Sequence, residues 1–261
     1  VTGQWSKKAF AEGARFVNAH CVADGSADNF MSLPPSDDWS ISRGRYFHYC
    51  PNETIGGLEF STIPEVGSPL VADMSSTLLS RPIDVTQFGV IYAGAQKNIG
   101  PAGLALVLVR KELLGRARPS CPAMLNWDTA AANGSMYNTP PTFAVYLTGL
   151  VFEWLESMGG LEVMGAINGR KAARLYGQID NSSFYSNPVD ESARSWMNVP
   201  FTLADAALDT VFLDEAEQAG LTNLKGHRSV GGMRASIYNA VPEAAVEALC
   251  TFMSEFEQRY G

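Results

Sequence analysis

Three short apolar runs, separated by turn-rich sequence, constrain this chain more than any other feature. Leu70-Val-Ala-Asp73, Phe88-Gly-Val-Ile-Tyr-Ala93 and Leu104-Ala-Leu-Val-Leu-Val109 are of strand length and almost free of polar residues. Such runs belong in sheets covered on both faces, so the pattern predicts an α/β sheet core. Arg45-Tyr-Phe-His-Tyr-Cys50 reads as a further strand that runs into the turn-rich Pro51 to Gly57. Ahead of these, Ala9, Phe10, Ala14 and Val17 recur at helical spacing within residues 7–18, with Ser6 as the expected N-cap.

Beyond the third run the pattern changes. Thr139-Pro-Pro-Thr142 is a helix start, because Pro is tolerated in a first turn and Thr can cap; the helix is expected from Phe143 to Met158, where Gly159-Gly160 stops it. Amphipathic helices are then predicted near residues 162–179, 205–219 and 242–260, with strands near 197–203 and 233–238. The expected organisation is a large domain over residues 1–160 and a small α+β C-terminal domain over 161–261. A chain of 261 residues, 46% hydrophobic and 18% charged, is long enough for both. Its 19 basic and 27 acidic residues give a net charge of -8 without a basic run, so no nucleic-acid partner is expected. No apolar stretch approaches the roughly 18 residues that span a bilayer, so no membrane partner is expected either. Four cysteines (Cys21, Cys50, Cys121, Cys250) lack C-x-x-C spacing and are expected reduced and buried in a cytoplasmic protein. Three scattered histidines offer no metal constellation, and His20 and His48 are read as structural.

The chemistry concentrates in Tyr92-Ala-Gly-Ala-Gln-Lys97-Asn-Ile-Gly-Pro-Ala-Gly103, a lysine in a loop of small residues between two buried strands. Small neighbours let a ligand approach the backbone. Neither G-x-x-x-x-G-K-[ST] nor G-x-G-x-x-G fits, so this is no nucleotide loop. Asp73 ends a neighbouring strand, and the carboxyl ends of strands are where α/β sheets place ligands. An acid and a lysine at adjacent strand ends suit pyridoxal phosphate, with Lys as the covalent anchor and Asp as the partner of the pyridine nitrogen. Each residue also has a plainer reading: a solvated lysine, a capping Asp, and for Trp5 a core aromatic rather than a ring-stacking one.

His48-Tyr-Cys-Pro-Asn-Glu-Thr-Ile-Gly56, Ser80-Arg-Pro-Ile-Asp84, Tyr92 to Gly103, Asn138-Thr-Pro-Pro-Thr142 and Gly226-His-Arg-Ser-Val-Gly-Gly-Met-Arg-Ala-Ser-Ile-Tyr-Asn239 together resemble the signature blocks of the phosphoserine aminotransferase family. The resemblance runs from Trp5 to the C-terminus in the family's order. It implies the type I fold of pyridoxal-phosphate-dependent transferases, with a mostly parallel sheet in the large domain. It also implies transamination between glutamate and 3-phosphohydroxypyruvate, yielding phosphoserine and 2-oxoglutarate, in serine and pyridoxine biosynthesis.

Residue by residue, the resemblance implies that Lys97 is the Schiff-base lysine, that Asp73 pairs with the pyridine nitrogen, and that Trp5 stacks on the ring. Thr54 would bond the phenolic oxygen and Gln96 the cofactor phosphate. Asn138 and Thr139 would bind the phosphate of the cofactor held by the other subunit, implying a homodimer with shared sites; their plainer reading is a helix cap. Arg234 would fork the substrate carboxylate. His227 and Arg228 would receive the substrate phosphate, and would otherwise be a solvated loop pair. Family members begin with a further N-terminal stretch, so these residues are an incomplete set, and an inactive fragment retaining only dimerisation surface is the competing expectation. A preference for another phosphorylated 2-oxo acid is the third.

Overall fold

The computed structural model describes residues 1–36, 39 and 44–261. Helix α1 (Gln4–Gly13) is followed by strand β1 (Phe47–Tyr49), the two-residue strands β2 (Asn52–Glu53) and β3 (Leu58–Glu59), and strands β4 (Leu70–Asp73), β5 (Val90–Gly94) and β6 (Ala105–Val109). Helices α2 (Trp127–Ala132), α3 (Thr142–Ser157) and α4 (Gly160–Asp180) come next. Strands β7 (Tyr185–Ser186) and β8 (Asn198–Leu203), helix α5 (Asp209–Gln218), strand β9 (Met233–Ser236) and helix α6 (Glu243–Tyr260) complete the chain.

The first sheet has the order β1-β4-β5-β6. Its first three strands are parallel and β6 pairs antiparallel with β5. Because side chains alternate along a strand, the register divides the sheet cleanly. Tyr49, Leu70, Ala72, Ile91 and Ala93 point into a core with Leu78, Phe88 and Ile99. His48, Val71, Asp73 and Tyr92 share the opposite, half-exposed face. The antiparallel ribbon of β2 and β3 stands beside this sheet. Its turn needs Gly57, which has φ +73 and lies so close to Pro200 that a Cβ would sit 2.3 Å from the proline ring.

The second sheet, β7-β8-β9, is antiparallel and packs with α4, α5 and α6. At its centre the fully buried Phe212 meets Tyr185, Phe201, Phe252 and Phe256 edge-on, with ring centroids 5.0 to 6.2 Å apart. This is the geometry that aromatic quadrupoles favour.

Four expectations change. The first helix begins at Gln4 and ends at Gly13, with Gly3 at the N-cap position. Ser6 lies inside it, where its hydroxyl accepts the backbone N–H groups of Thr2 and Gly3 at 2.8 and 3.0 Å. A serine three residues into a helix satisfies preceding donors as effectively as one at the cap, and sequence alone does not separate the two positions. Second, β6 is not covered on both faces: it is an edge strand whose Val107 and Leu108 are exposed. Third, Cys50 and Cys250 are buried and all four thiols are free, but Cys21 is exposed and Cys121 half-exposed. Fourth, α3 begins at Thr142 with Pro141 before it and no side-chain cap, so neither Asn138 nor Thr139 serves as one.

A polar seam joins the two sheets. Asn239 donates its backbone N–H to Asn98 Oδ1 and its side-chain amide to the Leu79 carbonyl, while Asn168 donates to Ser80 and to Asn239 Oδ1. Buried Glu59 of β3 accepts from Arg81 and from the Trp196 backbone N–H, and the Arg81 guanidinium lies over the Trp196 ring. Beside the seam, within the second unit, Lys171 of α4 is 1% exposed. Its ammonium donates to the carbonyls of Ile237, Tyr238 and Val241 at 3.0, 2.8 and 2.9 Å. Burial lowers its pKa to about 8, which still leaves three protons for three carbonyls at neutral pH.

Lys171→Met keeps the volume and removes all three donors. It is expected to cost about 3 kcal/mol in urea unfolding, because the Ile237, Tyr238 and Val241 carbonyls lose their lysine partner. A loss under about 1 kcal/mol would mean that the segment after β9 does not depend on this ammonium.

Candidate active site

The register of the parallel strands builds the site. Asp73 is the last residue of β4 and pairs with Tyr92 of β5, and the β5 strand leads two residues later into the loop that carries Gln96 and Lys97. An acid and a lysine separated in sequence therefore emerge from neighbouring strands at one edge of the sheet. The loop closes tightly, with Ile99 and Gly100 both donating to the Ala95 carbonyl. Gly100 lies against α3, where a Cβ would meet Thr148 Oγ1 at 2.3 Å. Behind the lysine, Asn98 is buried and donates to the Leu78 carbonyl.

The Lys97 ammonium donates to Thr54 Oγ1 at 2.6 Å. Burial lowers its pKa; Asp73 opposes that shift, and the Arg234 cation reinforces it. Asp73 is held in turn: its Oδ1 accepts the Ser75 backbone N–H at 3.0 Å and the Ser75 hydroxyl at 2.6 Å, and Ser75 Oγ accepts from Gly94 N–H. The acid thus caps a turn rather than a helix.

Arg234 reaches over from β9 of the second sheet and donates through Nη1 to the Thr54 carbonyl at 3.3 Å. Its Nε is buried without a hydrogen-bond partner among the described residues. A guanidinium N–H left in this state costs free energy unless an anionic ligand accepts it. Beside it, the Tyr238 hydroxyl lies 3.0 Å from Asn198 Nδ2, and Asn198 Oδ1 accepts from Asn52 Nδ2 at 2.9 Å. Lys97, Thr54 and Arg234 thereby form one bonded group, with Asn52, Asn198 and Tyr238 forming a second beside it.

Trp5 is positioned by a residue the sequence reading did not single out. Glu53 of β2 is 0% exposed, and its two carboxylate oxygens accept the backbone N–H groups of Trp5 and Ser6 at 2.9 and 2.8 Å. A carboxylate on the first amides of α1 answers both the unpaired donors and the helix dipole. Gly3 makes the approach possible, since a Cβ there would fall 2.4 Å from the Glu53 carboxyl carbon. The Trp5 ring itself is 40% exposed, with Lys8 over one face.

The structure therefore brings together Thr54, Asp73, Lys97 and Arg234, with Gln96 next to the lysine and Trp5 tied to Thr54 through Glu53. The remaining residues lie apart. Asn138, Thr139 and Arg228 are exposed, and none makes a side-chain hydrogen bond within the described residues. His227 is half-exposed and engages only its own loop, through Ser229. Among the described residues there is no His/Cys/Asp/Glu cluster that could hold a metal ion.

A half-buried amine with a lowered pKa, an acid at the adjacent strand end and a guanidinium with an unsatisfied N–H define a transaminase-type site. Comparison with known proteins agrees. The sequence profile of class-V aminotransferases matches residues 4–249, and the chain belongs to that family. Phosphoserine aminotransferase from Hahella chejuensis is 61% identical over 260 residues, covering 99% of this chain and 72% of the relative. The phosphoserine aminotransferase structure from Bacillus circulans subsp. alkalophilus is 45% identical, with a TM-score of 0.98 over 100% of this chain and 73% of the other. The pyridoxal-phosphate-bound enzyme from Trichomonas vaginalis is 44% identical, with a TM-score of 0.93 over 97% and 73% of the two chains. The type I fold and the mostly parallel large-domain sheet are thus shared with solved members of the family.

Glu53→Gln retains one acceptor and turns an amide donor toward a backbone N–H. The start of α1 is expected to fray, giving at least about tenfold faster hydrogen exchange at Trp5 and Ser6 and a red-shifted tryptophan emission. Unchanged exchange at both amides would show that Glu53 does not hold the helix.

Proposed function

We propose that this site transfers an amino group between glutamate and 3-phosphohydroxypyruvate, giving O-phosphoserine and 2-oxoglutarate, with pyridoxal 5′-phosphate as cofactor. The observation that carries the reading is the Lys97 amine, half-buried, bonded to Thr54 and facing Asp73. The residues fit the cofactor in kind: an amine of lowered pKa for its aldehyde, a carboxylate for its pyridine nitrogen and a hydroxyl for its phenolic oxygen. When bound, pyridoxal phosphate supplies the ring that takes up the electron pair left by the departing α-proton.

The protein's own groups do the rest. Lys97 anchors the cofactor and, once displaced by the substrate amine, removes the α-proton and returns it on the other side of the transfer. Burial and the Arg234 charge prepare it for this by favouring the unprotonated amine. Asp73 holds a proton at the ring nitrogen, and Trp5 covers the ring. Gln96 reaches the cofactor phosphate. Arg234 takes the substrate carboxylate on the N–H that the protein leaves unpaired. His227 and Arg228 receive the substrate phosphate, which needs local positive potential in a chain of net charge -8.

The same reading divides the chain into a cofactor-binding domain over residues 1–160 and a small domain over 161–261. It assigns Asn138 and Thr139 to the cofactor phosphate of a partner subunit, and so a homodimer with shared sites. Support for the dimer comes from α3, directly after these two residues. Phe143 and Tyr146 are 72% and 62% exposed, and Leu150 continues the stripe one turn on. A run of exposed aromatics on one helix face marks an interaction surface. Four free thiols, in a protein where no described helix is long and apolar enough to cross a membrane, suit a cytoplasmic enzyme of serine and pyridoxine biosynthesis.

Lys97→Ala protein is expected to lack the visible absorbance of lysine-bound pyridoxal phosphate and to transfer no amino group from glutamate to 3-phosphohydroxypyruvate; retained turnover would refute the assignment. A second prediction concerns pH. Only the unprotonated amine attacks the cofactor aldehyde, and the pKa of Lys97 is lowered. The rate at which apoprotein acquires the visible band is therefore expected to rise with pH and level off below the ordinary lysine range. A rise continuing through that range would contradict the lowered pKa.

A further inference from the structure

His48 was read as structural, yet it lies on the same sheet face as Asp73. His48 pairs with Val71 of β4, Asp73 is two residues along on that face, and Asp73 pairs with Tyr92. The three side chains therefore converge at the carboxyl ends of β1, β4 and β5. His48 Nε2 and the Tyr92 hydroxyl are 2.9 Å apart, with their rings stacked at 27° and centroids 5.9 Å apart. The Tyr92 hydroxyl also faces the Asp73 carboxylate. Burial and then that carboxylate push the phenol's pKa up, so Tyr92 keeps its proton.

Resting on the reading of Asp73 as the partner of the pyridine nitrogen, we propose that Tyr92 and His48 are positioning residues that hold and tune the Asp73 carboxylate. A phenol has one proton, and a carboxylate is the stronger acceptor beside it. Tyr92 therefore donates to Asp73, and its oxygen accepts from His48. That arrangement needs a neutral histidine with its proton on Nε2, and burial lowers the His48 pKa, opposed by Asp73. Ser75 already donates twice to Asp73 Oδ1, so the acid is gripped from its own loop and from the neighbouring strand.

Each added donor stabilises the ionised carboxylate and fixes its direction. The charged and titratable groups around this arm are few. Cys50 and Tyr46 face Tyr92, the chain's N-terminal ammonium acts on His48, and Arg234, Cys50 and Glu53 act with Asp73 on Lys97.

The test uses holoprotein and two readouts besides turnover: the dissociation constant for pyridoxal phosphate, and the pH midpoint at which the visible absorbance titrates. Tyr92→Phe is expected to weaken cofactor binding about tenfold and to move the midpoint, since one hydrogen bond to a charged group is lost. His48→Phe is expected to move the midpoint in the same direction by less. His48→Gln, which retains an N–H donor, should restore the wild-type midpoint. Urea unfolding of the apoproteins identifies any variant damaged in folding, and Tyr92→Phe remains decisive because it removes a single oxygen. Asp73→Asn is the reference. If it disrupts both readouts while Tyr92→Phe stays within twofold of wild type with an unmoved midpoint, the inference is overturned and the role of Asp73 stands. If Asp73→Asn changes neither readout, the reading beneath the inference fails, and the inference with it.

Discussion

The parallel register of β4 and β5 is the constraint on which the rest of the site depends. Pairing Asp73 with Tyr92 brings the end of one strand level with the approach to the Lys97 loop in the next. A slip of one residue would turn Asp73 into the core occupied by Ala72 and Ile91. The buried face forbids that slip, because an unpaired carboxylate among Leu70, Phe88 and Ile99 would cost several kcal/mol. The same hydrophobic alternation that builds the sheet therefore fixes where its acid emerges. The chemistry rests on packing that does not itself take part in it.

The seam between the two sheets solves a different problem. Arg234 is carried by β9, whereas Lys97 and Thr54 belong to the first sheet and its ribbon. Their alignment requires the two bodies to meet in one orientation. Apolar surfaces alone tolerate sliding, but the directional bonds of Asn98, Asn168 and Asn239 do not. Burying these groups has a desolvation cost, which the bonds they make offset only in the matching arrangement. That requirement favours one arrangement of the lobes over its neighbours.

Much of this was legible in the sequence, for physical reasons that can be named. Leu70–Asp73 was readable to the residue because a short apolar strand ending in an acid has few alternatives. Lys97 stood out because lysine is rare between two buried strands. The expected covering of β6 failed because apolar composition reports burial in whatever surrounds a strand, and the strand here lies at the edge of its sheet. Ser6 was misplaced because serine can satisfy helix-start amides from outside or from inside the first turn. Glu53 carried no local signal at all: its partners lie 47 and 48 residues away, on a helix whose start was itself misjudged. The His48–Tyr92 contact carried no signal for the same reason, since period-two patterning tells which face a residue shares but not which strand lies next to it.

The division between what converges on Lys97 and what does not has a chemical logic. In the proposed reading Thr54, Asp73, Lys97 and Arg234 act at the reacting carbon, at the ring or on the α-carboxylate, where sub-ångström placement governs rate. Asp73 and Arg234 sit on strands, Thr54 directly follows one, and Lys97 lies in the tight loop after β5. Asn138, Thr139, His227 and Arg228 are assigned to phosphate groups, which carry their charge on several equivalent oxygens and tolerate approach from many directions. Groups of that kind can stand on loops, or be supplied across a subunit boundary, without loss of precision at the reacting atom. An exposed Arg228 beside a half-exposed His227 is therefore consistent with a site of this design: ligand-accessible groups at the rim, and fixed geometry at the lysine.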